Sequence, residues 1–475
     1  MAAKARAAQP SVLEASDLGT VRIPAAFLMR GSPPRDPAPY LARLSEQFIA
    51  QNETVLSAIG ARAEPRYNGR TSDIEITAST TVGAVPLRSP TSGLLDYGLI
   101  VKPRFDWTGI GPMLAETGLR VAPKILSMPL LPQSERRVPA WVLSATVLVR
   151  IEALLRQLTR RFDMVSTTLT APRGRVDWQA YATRSIGRGQ HTHVPCTYPE
   201  LRTDAALRGA IRYALQRQLA SLSTQTSAGA FVLALIAICE GLLRAVSDAP
   251  ARIPAPLEFE RWLRSPLQGE VLRDGLQAIH WTVDERGLGG LSDLEGLPWR
   301  MSMEEFFEAW TESVAHLVSR RIGGIVRTGR QRQTVTPIEW RPAYRGSQRS
   351  LVPDVMLDRG DLTVIIDAKY KEHWEEMQEH RWGDLEEQIR ERHRNDLLQV
   401  LAYANVTSAP RVVLCLAYPC RRVTYDSLKE RGLLFSRAAL RASERQIDLL
   451  LTAFPMGVSA DEVAGPLAAE IVREG

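Results

Sequence analysis

The chain reads as a mixed α/β (α+β) protein, with a C-terminal α/β domain behind a β-rich N-terminal domain and a mostly helical middle region. Three patterns predict this. Residues 350–371 form two β-branched, apolar runs around the turn signal Asp358-Arg-Gly-Asp361. Helical spacing of apolar residues flanks that hairpin on both sides, at 303–321 and 395–404. Period-2 alternation recurs at 73–77, 82–87 and 98–103.

In chain order, the Gly/Pro-rich stretch 31–39 marks residues 1–38 as a flexible lead-in. Residues 39–125 then form the N-terminal β-rich domain, opened by a helix over 40–61. Residues 126–300 carry helical periodicity at 142–161, 204–222 and 228–246, interrupted by a hairpin or extended segment over 174–198 and by a proline-rich break at 248–256. The fourth segment, 301–475, is the C-terminal domain. With 475 residues and 45% hydrophobic content, the chain can bury two or three cores.

Several function classes drop out. The four cysteines, at 196, 239, 415 and 420, form no Cys-x-x-Cys pair and no zinc spacing, which fits a reduced, cytoplasmic protein. Residues 1–30 contain no signal-peptide core, and the apolar run 228–239 is too short to span a bilayer, so no membrane role is expected. No Gly-Lys dipeptide occurs, hence no P-loop, and no Gly-x-Ser-x-Gly elbow. If the function needs nucleotide energy, a partner must supply it.

The hairpin carries the chemistry. If Leu357 faces Leu362 across a turn tipped by Arg359-Gly360, then Asp354 lies opposite Ile365, and alternation puts Asp354, Asp367 and Lys369 on one side of the sheet. Two carboxylates so placed suit Mg²⁺, with Mn²⁺ as a substitute. This hard ion prefers oxygen ligands and keeps waters for substrate phosphate. Asp354, Asp367 and the main chain of Ala368 are the candidate ligands. Lys369 would orient an attacking water and offset charge on a pentavalent phosphorus, so phosphodiester hydrolysis is the implied reaction. Only six of the 59 basic residues are lysines, at 4, 102, 124, 369, 371 and 429, so a lysine at 369 stands against the drift of the composition.

Ser302-Met-Glu-Glu305 reads as a capping box opening a helix to about residue 321, with Phe306, Phe307, Trp310, Val314 and Leu317 as its buried stripe. Glu305 is then structural, and Glu308, off the stripe, is the candidate third acid. Downstream, Asp396, Gln399 and Tyr403 share one helix face at i, i+3 and i+7, so the three side chains project together. Net charge is +6 and pI about 9.2, but arginines crowd the stretch before Asp354. Arg327, Arg330, Arg332, Arg345 and Arg349 are the candidate DNA contacts, with Trp340 and Tyr344 interleaved for stacking. His191-x-His193 sits in a Gly/Arg-rich loop without partner acids, and the histidines at 373, 380 and 393 are expected to stay solvated.

Taken in order, a helix with Glu308, strands with Pro353-Asp354 and Asp367-x-Lys369, and a helix with Gln399-x-x-x-Tyr403 resemble the PD-(D/E)xK nuclease fold, in its RecB-like variant. A closer resemblance is to McrC, the nuclease subunit of McrBC-type modification-dependent restriction systems. Phe307-Glu308-Ala-Trp310, Pro353-Asp354, Ile366-Asp367-Ala-Lys369-Tyr-Lys371 and Asp396-Leu-Leu-Gln399-Val-Leu-Ala-Tyr403 carry it. Weaker likenesses lie at Arg173-Gly174-Arg175-Val-Asp177, Pro195-Cys-Thr-Tyr198-Pro-Glu200, Thr203-Asp204-Ala-Ala-Leu207, Gly83-Ala-Val and Ile100-Val-Lys102-Pro103. The resemblance implies a metal-dependent DNA endonuclease of an antiphage restriction system that stimulates a hexameric AAA+ GTPase or ATPase, with the middle region as its docking surface. The alternatives are a non-catalytic activator of such a ring and a stand-alone RecB-like nuclease.

Overall fold

The computed structural model describes every residue except 1–10, 32–33, 69–70, 106–112, 115, 118–120, 122, 127, 130–140, 159–160, 203, 229, 264–268, 285–286, 289–295, 343, 345, 372–386, 441–444 and 474–475. Two compact units emerge: residues 1–143, 226–234 and 287–475 in one, and 144–225 and 235–286 in the other.

The first unit starts earlier than the composition suggests. Residues 11–24, expected as part of a flexible lead-in, form strands β1 (Ser11–Ser16) and β2 (Thr20–Pro24). Their alternating Val, Leu and Ile bury Leu13 and Ile23, and the turn between them is too short to register as punctuation. Helix α1 (Pro37–Ala58) begins three residues before the expected start, with Pro37 at its first turn, where a missing N–H costs nothing. Strands β3 (Ala61–Asn68), β4 (Thr71–Ala78), β5 (Thr81–Leu87), β6 (Tyr97–Lys102) and the short β7 (Lys124–Ile125) follow. β2, β4 and β3 make one antiparallel sheet, and β1 lies parallel to β6 in a second. Phe48 and Leu56 of α1 pack with Ile23, Ile74, Ile76, Val85 and Leu99 in their shared core.

The second unit is less purely helical than expected. Helix α2 (Trp141–Gln157) ends before strand β8 (Arg161–Leu169), which takes the residue where a helix was expected to finish. β8 pairs antiparallel with β10 (Val194–Arg202), which also holds the short β9 (Arg175–Val176). Helices α3 (Ala205–Ser223), α4 (Ala230–Ala245), α5 (Pro256–Leu263) and α6 (Glu270–Val283) complete the region. Gln218 Nε2 donates to Thr282 Oγ1 at 2.9 Å, and Arg150 lies 4.8 Å over the Trp281 ring, tying α3 and α2 to α6.

The chain then rejoins the N-terminal sheet. Strand β11 (Trp299–Ser302) pairs antiparallel with β5 and with β7, so the boundary expected at residue 300 falls inside a strand. At Gly83 a Cβ would lie 2.1 Å from the Trp299 carbonyl, and only glycine allows that approach. Helix α7 (Met303–Ile322) follows, with Ser302 Oγ accepting from Glu305 N at 3.2 Å as the cap.

The C-terminal sheet has six strands: β12 (Ile325–Thr328), β13 (Val355–Asp358), β14 (Leu362–Ala368), β15 (Arg411–Cys420), β16 (Phe435–Leu440) and β17 (Gln446–Pro455), in the order β12-β13-β14-β15-β17-β16. Helix α8 (Glu387–Tyr403) leads from β14 to the parallel β15, followed by α9 (Arg422–Glu430) and α10 (Ala460–Val472). Val400 and Tyr403 of α8 pack on Met356, Ile365, Leu414, Leu416 and Tyr418 of the sheet. Phe307 and Trp310 of α7, both fully buried, set their rings 6.5 and 5.8 Å from Phe454. Burial of each such side chain contributes about 1.5–3 kcal/mol.

Candidate active site

The β13–β14 hairpin turns one residue later than its composition suggests. Arg359 N donates to Leu362 O at 2.9 Å, Gly360 takes φ +90°, and the Asp358 carboxylate accepts from Gly360 N at 3.0 Å. The tip is therefore Gly360-Asp361, braced by the forked contact of Arg359 on Asp361. Leu357 faces Val364, not Leu362. Moving the tip by one residue slips the register by two, which preserves which face each side chain takes. Continued one residue past β13, this register sets Asp354 beside Asp367 itself, a closer pairing than the expected one.

Three contacts hold the segment entering β13. Tyr403 OH donates to Val352 O at 3.3 Å, Thr334 Oγ1 to Pro353 O at 2.6 Å, and Gly329 N to Asp354 O at 2.8 Å. Asp354 Oδ2 in turn accepts from Ala368 N at 2.8 Å, locking the carboxylate onto the neighbouring strand. Thr334 and Gly329 carried no signal in the sequence, because their partners are main-chain atoms some 20 residues or more downstream.

Asp367 is fully buried, yet neither carboxylate oxygen receives a well-directed hydrogen bond. Lys369 Nζ lies 2.7 Å from Oδ2, an ion pair at an angle too oblique to serve as one. Burial first, then the neighbouring Asp354 charge, pushes the Asp367 carboxyl up to about 7. Asp354 is raised to about 7 as well, by burial and by Glu308. Glu308 is itself raised, chiefly by burial, while its hydrogen bond with Asp354 and the Arg330 guanidinium pull the other way. Burial pulls Lys369 down, but Asp367, Asp354 and Asp396 outweigh it, so the ammonium is held above its ordinary range. Like charges packed this closely raise one another's proton affinity, because the single lysine does not offset them all.

Lys369 Nζ also donates to Gln399 Oε1 at 2.9 Å, and Gln399 Nε2 donates to Tyr403 OH at 2.8 Å. The expected set of Asp354, Asp367, Lys369, Glu308, Gln399 and Tyr403 is thus brought together. Asp396, from the same helix face, instead pairs with Lys371 Nζ at 2.5 Å and accepts from Tyr418 OH at 3.2 Å. His393 departs from expectation: it is buried on α8, with Nδ1 3.2 Å from Tyr418 OH, because its helix face packs on the sheet. The other two histidines of that stretch, at 373 and 380, lie outside the described residues.

The arginine stretch divides. Arg330 is committed to α7, donating to Glu305 O at 3.0 Å and lying 3.5 Å from the buried Glu312, so it tunes Glu308. The acid pair Glu308 and Glu312 at i, i+4 was the sequence signal for a cation there. Arg327 contacts Asp358 at 3.2 Å on the exposed edge. Arg332 and Arg349 are exposed, and Arg345 lies outside the described residues. Trp340 and Tyr344 stand 42% and 59% exposed, their rings 5.9 Å apart and edge-on.

Among the described residues no three His, Cys, Asp or Glu side chains form a ready-made metal cage. Fit to a divalent cation rests instead on two neighbouring carboxylates, one of them orphaned. That is the sparse donor set Mg²⁺ accepts when substrate and water complete the shell. The four cysteines are all buried and free. Among the described residues no helix is long and apolar enough to cross a membrane.

No family model and no curated protein matches the chain. Among solved structures it is similar to a chain of a half-complex from a tetradecameric assembly of Thermococcus gammatolerans McrB AAA+ hexamers with bound McrC. The identity is 16%, with 97% of this chain and 100% of that chain covered at a TM-score of 0.40. It is also similar to a chain of the Thermococcus gammatolerans McrBC complex, at 15% identity over 64% of this chain and 87% of that one, with a TM-score of 0.26.

Proposed function

We propose that this chain is a Mg²⁺-dependent DNA endonuclease, acting in the cytoplasm as the McrC-like subunit of a restriction system. The observation that carries the catalytic part is Asp367, a buried carboxylate without a directed hydrogen bond, facing Asp354 with Lys369 at 2.7 Å. Asp354, Asp367 and the Ala368 carbonyl would hold the ion. When bound, it supplies Lewis-acid polarisation of the phosphodiester and lowers the pKa of an attacking water.

The chain's own groups do the rest. Lys369 places a positive charge where the pentavalent phosphorus gathers negative charge, and Gln399 and Tyr403 fix its ammonium in line. Glu308, hydrogen-bonded to Asp354, favours the protonated form of that carboxyl, whose proton must leave before Asp354 could hold the metal. Arg332 and Arg349 would neutralise phosphates along the approach, with Trp340 and Tyr344 offering stacking faces. An AAA+ GTPase or ATPase hexamer as partner is what the McrC-like motifs imply.

The test is cleavage of plasmid DNA with Mg²⁺, with and without an AAA+ partner. Asp367→Ala and Lys369→Ala are expected to abolish cutting while partner association persists. Retained cutting in both variants rejects the assignment. Stimulation of partner nucleotide turnover without any DNA cleavage by the wild type would instead leave the chain as an activator.

A further inference from the structure

The strand end that carries Lys369 is held from the opposite side by the N-terminal sheet. Alternation sends Lys369 and Lys371 toward the acids and Tyr370 away from them. There Tyr370, buried, donates its hydroxyl to Asp17 Oδ2 at 2.7 Å, across 353 residues of sequence. Asp17 is 1% exposed. Its other oxygen accepts from Arg104 N at 2.6 Å, and the Arg104 guanidinium lies 4.0 Å away. That guanidinium also donates to Lys371 O at 3.0 Å and sits 4.8 Å over the Tyr370 ring. Lys371 N closes back on Lys369 O at 2.9 Å, so whatever fixes residue 371 fixes residue 369.

The geometry on the N-terminal side is equally specific. Asp17 directly follows β1 and Arg104 follows β6, two parallel strands in register from Ser11↔Tyr97 to Ser16↔Lys102. Leu18 takes φ +57°, a conformation non-glycine residues adopt only when surrounding structure imposes it. Gly19 N and Leu18 N bond to Ser16 O and Ser79 O, and this tight turn presents Asp17 to Tyr370. A buried carboxylate so completely engaged with another sheet's strand end does more than complete a core.

We propose that Asp17 and Arg104, from the N-terminal sheet, are positioning residues of the nuclease site: by clamping Tyr370 and Lys371 they set where the Lys369 ammonium sits. This rests on the nuclease reading of Lys369. Its consequence is that the hydrolytic centre is assembled by two sheets, and displacement of β1 or β6 would move the lysine without touching either metal-binding aspartate. A misplacement of about 1 Å costs on the order of 100-fold in rate.

The experiment uses the full chain and the variants Tyr370→Phe, Arg104→Gln and Arg104→Lys. In metal-free protein with labelled lysine, the Nζ–Cε NMR signal of Lys369, assigned by its loss in Lys369→Arg, reads its surroundings directly. Tyr370→Phe and Arg104→Gln are expected to shift that signal while the exposed Lys429 stays fixed. With Mg²⁺, kcat for DNA cleavage is expected to fall roughly 10- to 100-fold at unchanged KM, and Arg104→Lys to recover part of it. An unmoved Lys369 signal in both variants overturns the clamp, as does a loss of activity that only mirrors loss of thermal stability. Should wild type leave DNA intact, the nuclease reading fails and the NMR signal alone decides the clamp.

Discussion

Two buried aspartates in one sheet make an instructive contrast. Asp448 on β17 and Asp367 on β14 are 1% and 0% exposed. Asp448 Oδ2 accepts from Arg437 Nη2 at 2.6 Å and from Gln446 Nε2 at 3.3 Å, with Arg411 Nε 3.8 Å away. Asp367 has one obliquely placed lysine and a second carboxylate facing it. Burying a charge is costly unless it is paired and hydrogen-bonded. Asp448 meets that condition and holds the sheet edge to the C-terminal helix through Arg437, which also donates to Glu470 O. Asp367 does not, and a divalent cation bound there would offset the deficit.

The contrast is sharpened first by activity and stability together. Asp367→Ala is expected to lower DNA cleavage by about 10³-fold or more while leaving denaturant-unfolding stability unchanged or raised, because it removes a badly satisfied charge. Asp448→Ala is expected to do the opposite, destabilising the fold by about 3 kcal/mol as two arginines lose their acid. Equal stability losses in the two variants would erase the distinction.

A pH dependence follows. The folded Asp367 carboxyl stands at about 7 against an unfolded value near 3.8, so the folded state binds the proton more tightly. Its contribution is present below the unfolded value and is lost as pH rises through about 7. Without metal, Asp367→Asn should therefore gain on wild type in thermal unfolding between pH 4 and 8, and hardly differ at the acid end. Mg²⁺ should raise the unfolding temperature of wild type at pH 8 and have little effect in Asp367→Asn. A metal response that survives the substitution would move the ion elsewhere.

The smallest expected effect lies on the exposed stretch. Arg332→Ala or Arg349→Ala should weaken DNA binding evenly across sequences and reduce the salt slope by about 1 each. Arg330→Ala should instead shift the pH profile of cleavage, since its guanidinium faces Glu308 and Glu312. A salt slope unchanged by Arg332→Ala and by Arg349→Ala would take the DNA path off this surface.

The site was legible in the sequence because its parts are local. Asp354, Asp367 and Lys369 lie on one hairpin, and alternation survives a two-residue slip in register. Gln399 and Tyr403 follow from helical spacing. What escaped is long-range: Asp17 meets Tyr370 across 353 residues, and no pattern in either segment announces it. His393 was misread because its neighbours are charged, whereas burial depends on the helix face turned to the sheet. The strands at 11–24 were missed because two five- or six-residue runs have too few alternations to stand out from a lead-in.

Strand β11 has a bearing on how the protein is made. β5 gains its second neighbour only when Trp299–Ser302 arrives, more than 200 residues after Leu87 has left the ribosome. At about 5–20 residues per second, that edge waits on the order of 10–40 s with its amides unpaired. Nascent chains stalled before residue 299 should accordingly be the most aggregation-prone and the most dependent on chaperones.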